Sequence, residues 1–141
     1  MYKNILLPVD MEHTAESARA LAIALDEARR SNAKLTVMTV APGFGMPMVA
    51  SYFDEGAVKE ALKEVARHLK KYMDDNIPEG IETDAVVVEG HPANLILERA
   101  QEDGIDLIVM ASHNSEIENL ILGSCAARVV NHAHCTVTVV K

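Results

Sequence analysis

Two short apolar runs, Leu107–Met110 (L-I-V-M) and Val137–Val140 (V-T-V-V), bracket a segment of helical periodicity. That alternation constrains the fold more than any other feature of the chain. Each run is too short for a helix and suits a strand buried within a sheet. Between them a polar turn, Ser112 to Asn119, leads to Gly123-Ser124, after which Ala126, Ala127, Val129 and Val130 mark a helix. Strand, loop, helix and strand in this order place a small ligand at the carboxyl edge of a parallel sheet.

The same alternation runs upstream. Tyr2–Val9 reads as a first strand, with Ile5, Leu6, Leu7 and Val9 apolar and Pro8 near its end. Asp10 ends it, Thr14 is a candidate helix cap, and Ala18, Leu21, Ala22, Leu25 and Ala28 give the stripe of an amphipathic helix that Ser31-Asn32 breaks. Leu35–Val40 is a second strand. Pro42–Gly56, with three glycines and two prolines, is longer than the connections common in such folds. It either packs over a pocket or partner subunit, or is a crossover without a specific role. Val58, Ala61, Leu62, Val65, Leu69 and Tyr72 define a second helix, and Thr83–Glu89 a third strand. After the turn Gly90-His91-Pro92 a third helix carries Leu95, Ile96, Leu97 and Ala100, and Gly104 stops it. Five strands alternating with four helices predict an α/β fold: a five-stranded parallel, doubly wound sheet with helices on both faces. Residues 1–141 are expected to form one domain.

Charge narrows the partners. A net charge of −8 and a pI near 5.1 disfavour nucleic acid and anionic membrane surfaces. No apolar stretch approaches the roughly 20 residues of a membrane span, and the amino-terminal pattern is that of a strand rather than a signal peptide. Aromatic residues are only 4% of the chain, so the core must be aliphatic. Cys125 and Cys135 make no disulfide framework and fit small buried positions in a reducing cytoplasm.

The fold would deliver Pro8-Val9-Asp10, Val40-Ala41, Glu89-Gly90-His91 and Met110 to Asn114 to the ligand edge. Gly123-Ser124 begins a helix there and suits an anion, because free backbone N–H groups meet the positive end of the helix dipole. Its plainer alternative is a helix cap. Gly43-Phe44-Gly45 lacks the third glycine and the following helix of a dinucleotide fingerprint. His132, His134 and Cys135 include a His-x-His pair, but no second ligand pair at a recognisable spacing joins them, so no metal site is expected. His132 suits the carboxyl end of the last helix instead.

The tail M-A-S-H-x(9)-G-S-x-A-x-x-V-x-x-H-A-x-C-x-V-x-V-V, with P-V-D closing the first strand and V-A-P closing the second, resembles the universal stress protein family along the whole chain. The resemblance implies a five-stranded α/β sheet, often dimeric, and in many members ATP held by a signature G-x2-G-x9-G-[S/T]. Here Ala111 and Asn114 stand at the first two glycines, and Gly123-Ser124 keeps the end. The motif Ala111-Ser112-His113 resembles a divergent branch of the family in which nucleotide binding is still seen.

Carried over by position, the resemblance puts Pro8, Val9 and Asp10 at the adenosine end and Val40 and Met110 against adenine. It puts Ala111, His113, Asn114, Gly123, Ser124 and Cys125 around the phosphates. The implied cofactor is ATP or AMP, with or without Mg2+. Glu116 and Glu118, with no Lys or Arg between Ser112 and Cys125, either face solvent, hold Mg2+, or shift the site towards AMP or a nucleoside. The alternative is a member without nucleotide that works through dimerisation and protein contacts. A homodimer through the carboxyl-terminal strand is expected, because Cys135 to Val140 is an apolar, proline-free edge. An Asp10–His113 pair without a positioned nucleophile supports at most a weak ATPase.

Overall fold

The structure is a computed structural model that describes residues 1–41, 55–112 and 122–141. Its strands are β1 (Asn4–Pro8), β2 (Lys34–Ala41), β3 (Thr83–Glu89), β4 (Leu107–Ala111) and β5 (Thr136–Val140). Its helices are α1 (Ala18–Ser31), α2 (Glu55–Asn76), α3 (Pro92–Glu102) and α4 (Ser124–His132), with one 3-10 turn at Thr14–Ser17. The strands form one five-stranded parallel sheet, as the sequence pattern predicts, in the order β3-β2-β1-β4-β5.

β1 is central because its residues tolerate burial on both faces. Ile5, Leu6 and Leu7 are all 0% exposed. Ile5 pairs with Leu35 on one side and Leu107 on the other. Alternate side chains point to opposite faces of a strand. Ile5, Leu7 and Val9 therefore join Leu21, Leu25, Val37 and Val109 in one core layer under α1. Leu6 goes to the other layer with Met38, Ile96, Ile108, Met110 and Val129, under α3 and α4. At the opposite edge from the ligand face, the Asp106 carboxylate accepts the N–H groups of Lys3 at 2.9 Å and Asn4 at 3.0 Å, fixing where β1 begins against β4.

Two details of the first helix differ from the sequence expectation. Its inward stripe is Ala20, Leu21, Ala24, Leu25 and Ala28, whereas Ala18 and Ala22 face solvent. Alanine is common on both faces of a helix, so the two leucines alone mark the phase. Thr14 is not a cap: the chain first makes the 3-10 turn, and α1 starts after Ser17 with no side-chain cap bond. The other end behaves as read, with Asn32 in the left-handed conformation (φ 54°). Among the described residues no helix is long and apolar enough to cross a membrane.

Ser17 is fully buried, and among the described residues its hydroxyl finds no hydrogen-bond partner. A buried polar group left unsatisfied costs about 1–3 kcal/mol. Ser17→Ala removes that cost without leaving a large void. Urea unfolding of Ser17→Ala is expected to show a gain of about 1 kcal/mol; a loss of stability would mean that the hydroxyl is satisfied in solution.

Candidate functional site

The sheet order reverses between β1 and β4: β2 and β3 extend one way from the centre, β4 and β5 the other. At such a switch the loops leaving adjacent strands diverge and open a crevice at the carboxyl edge. Beyond Pro8 the chain stays pinned, because the Val9 N–H donates to the Met38 carbonyl at 2.8 Å. Across the switch β4 is prolonged by the Ser112 N–H, which donates to the Val140 carbonyl at 2.8 Å.

Asp10 follows directly and is held by its own loop. Its Oδ1 accepts the Glu12 N–H at 2.9 Å, its main-chain carbonyl accepts the His13 N–H at 3.0 Å, and its Oδ2 lies 3.1 Å from His13 Nδ1. Short-range bonding of this kind is how an aspartate builds a turn from its own side chain. The hydrogen bond and charge of Asp10 raise the His13 imidazole above its ordinary pKa, against an opposing desolvation and with smaller additions from Glu16 and Glu12.

Two helix starts close the cleft from the other core layer. The turn into α3 needs Gly90, whose φ is +134° and where a Cβ would sit 3.1 Å from Leu95 Cδ1. His91 then flanks the helix in an extended conformation, with Pro92 at its start. α4 begins at Ser124 with Gly123 as its N-cap residue and no side-chain cap bond, so the capping position weighed above falls on Gly123 rather than on the Ser124 hydroxyl. Burial raises the pKa of the Cys125 thiol and keeps it neutral.

These elements enclose a cleft of about 310 Å3 lined by Pro8, Val9, Asp10, Glu12, Met38, Val40, Pro92, Ile96, Met110, Ala111 and Cys125. Of the residues singled out in the sequence, Pro8, Val9, Asp10, Val40, Met110, Ala111 and Cys125 meet here. Gly123 and Ser124 lie just before Cys125 at the start of α4 without lining the cleft. His113 and Asn114, with Glu116 and Glu118, lie outside the described residues. Glu12, Met38, Pro92 and Ile96 were not singled out. Met38 stands two residues from Val40 on one strand face, and Ile96 one helical turn from Pro92, so periodicity carried a signal for both. Nothing in the sequence marked Glu12.

The chemistry of the cleft is therefore apolar walls, two carboxylates on one rim, and no lysine or arginine among the lining residues. Among the described residues, the ligand atoms of Asp10, Glu12 and His13 lie within 4.8 Å of one another, all three exposed, with His13 Nδ1 already paired to Asp10. His132, His134 and Cys135 make no such grouping. They line a separate groove of about 520 Å3 between the carboxyl ends of α3 and α4. Cys125 and Cys135 are half-buried at the margin of the core rather than inside it.

Comparison with known proteins agrees with this architecture. Residues 1–141 match the universal stress protein family. A universal stress protein of Methanocaldococcus jannaschii is 34% identical over 146 residues, covering 100% of this chain and 83% of the relative. The solved structure of universal stress protein UspA from Lactobacillus plantarum superposes with a TM-score of 0.73 at 26% identity, over 99% of this chain and 98% of that one. A universal stress protein solved in complex with cAMP gives a TM-score of 0.63 at 26% identity, over 99% and 96% of the two chains.

The Asp10–His13 pair makes a sign-specific prediction. A histidine whose pKa is raised on folding contributes its stability below its unfolded value and loses it as pH rises through the folded value. In an NMR titration His13 should therefore titrate above the ordinary imidazole value of 6.5, and Asp10→Asn should move it back towards that value. An unchanged midpoint in Asp10→Asn would show that the pair does not persist in solution.

Proposed function

The chain belongs to the universal stress protein family, and on that premise we propose that it binds an adenine nucleotide, ATP or AMP, in the cleft between β1 and β4. The observation that carries this reading is the cleft itself: an apolar slot with one carboxylate held at its rim and a helix start behind it. Val40, Met38 and Met110 offer apolar faces for the base, Asp10 accepts from hydroxyls, and the first N–H groups of α4 at Gly123-Ser124 take phosphate oxygens. The relative in complex with cAMP supports an adenine nucleotide as the ligand class.

Asp10 and Glu12 make the β1 rim anionic, which turns the phosphates of ATP or AMP away from it and towards the start of α4, with or without Mg2+ on the phosphates. The whole of residues 1–141 acts as one cytoplasmic stress-response or signalling domain, in which the ligand biases assembly.

Melting curves with ATP, AMP and adenosine, with and without Mg2+, test this. A ligand at a hundredfold excess over its Kd adds about 2.7 kcal/mol to the native state, enough to raise the midpoint visibly. Val40→Trp, which fills the base position, should abolish the shift. If no adenine compound moves the wild-type midpoint, the nucleotide reading fails and a role through protein contacts replaces it.

A second reading, a homodimer through β5, is favoured by the position of that strand. Among the described residues β5 is the sheet edge, paired to β4 alone, and it carries half-buried Val137 and Val139. An apolar edge without proline is a template for a second copy. Light scattering should give twice 15.3 kDa at micromolar concentration, and Val137→Lys should halve it. A wild-type monomer would remove the edge-pairing reading.

A further inference from the structure

We infer that Glu12 decides which adenine compounds the cleft accepts. Its carboxylate selects ligands whose secondary ribose hydroxyls are free and turns away those with phosphate on them, 3′,5′-cyclic AMP included. This rests on the nucleotide reading above and deepens it by naming the ligand subclass.

Glu12 is the second carboxylate of the cleft lining, two residues beyond Asp10 on the β1 rim. The turn after β1 puts it there. The Glu12 N–H donates to Asp10 Oδ1 at 2.9 Å, and the next N–H, that of His13, donates to the Asp10 carbonyl at 3.0 Å. The backbone is thus anchored on both sides of the Glu12 Cα. Carboxylate oxygens of Asp10 and Glu12 lie within 4.8 Å of each other, so the two acids meet the same part of a ligand.

The two do not act alike. Asp10 shares its charge with His13, whose Nδ1 lies 3.1 Å from Oδ2. Among the described residues Glu12 makes no ion pair and no hydrogen bond through its carboxylate. It is exposed, and no lysine or arginine lines the cleft to offset it. Such an oxygen accepts from a hydroxyl and repels a phosphate. With the base against Val40 and Met110 and the 5′-phosphate at the start of α4, the ribose hydroxyls fall on the β1 rim. A 5′-phosphate hangs on a rotatable arm and can turn to the helix start. A phosphate esterified at O3′ lacks that reach, and a 3′,5′-cyclic phosphate is fused to the sugar. Both hold negative charge beside Glu12.

Calorimetric titration of AMP, 3′-AMP, cAMP and 3′-deoxy-AMP into wild type, Glu12→Gln and Glu98→Gln tests this. Wild type should bind AMP about tenfold or more tighter than 3′-AMP or cAMP, the size of one close like-charge contact near a surface. Glu12→Gln keeps the side-chain shape and an acceptor oxygen without the charge, so it should narrow both gaps several-fold. Glu98→Gln removes an equal charge from the separate groove and should leave both gaps as in wild type. The 3′-deoxy compound lacks the hydroxyl without adding charge and should bind better than 3′-AMP; equal binding would overturn the role of charge. Wild type that takes 3′-AMP or cAMP as tightly as AMP overturns the inference, as do gaps that persist in Glu12→Gln, and either result leaves the nucleotide reading standing. A wild-type protein that binds none of the four compounds overturns that reading and this inference with it.

Discussion

The position of β1 between β2 and β4 determines where everything else at the carboxyl edge can be. A strand with three consecutive side chains shielded from water must have a neighbour on each side and a helix layer on each face. Once Ile5 is paired with both Leu35 and Leu107, Asp10 has to emerge at the point where the chain directions part. A one-residue slip of β1 would exchange the faces of Ile5, Leu6 and Leu7 and carry Asp10 with them. The Asp106 carboxylate opposes that slip from the far edge by gripping the N–H groups of Lys3 and Asn4.

The electrostatics of the cleft divide by element. The β1 loop supplies negative charge, through an aspartate whose oxygens are committed to Glu12 and His13. The helices of the other layer supply the positive side through their two starts. A ligand with a neutral, hydroxyl-bearing part and an anionic part matches that polarity in only one orientation. The walls between are aliphatic and sulfur-containing, which accept a flat ring without demanding a particular hydrogen-bond pattern.

Much of this could be read directly from the residues, for identifiable reasons. Short β-branched runs separated by helical stripes specify a parallel sheet with little ambiguity, whereas the strand order was not legible, because right-handed crossovers leave several orders open. Residues that end strands, such as Pro8, Asp10, Val40 and Ala111, reach the edge by the same alternation. The phase of α1 was harder, since Ala18 and Ala22 look apolar on paper yet face water. Glu12 escaped notice because its place on the cleft depends on the tight loop that Asp10 builds, a three-dimensional consequence with no linear pattern. The hydrogen bond from Arg128 Nε on α4 to Asn94 Oδ1 on α3 joins residues 34 positions apart, beyond the reach of any local spacing rule.

The route of the chain through α3 has its own consequence. β3 lies at one margin of the sheet, yet the strand that follows it, β4, lies on the far side of β1, so α3 carries the backbone back over the middle. The strands therefore fall into two sequence blocks, residues 4–89 and 107–140, and the cleft takes its walls from both blocks as well as from the crossover between them. A molecule seated there would staple the blocks together, making occupancy and the cohesion of the carboxyl-terminal third a single thermodynamic quantity.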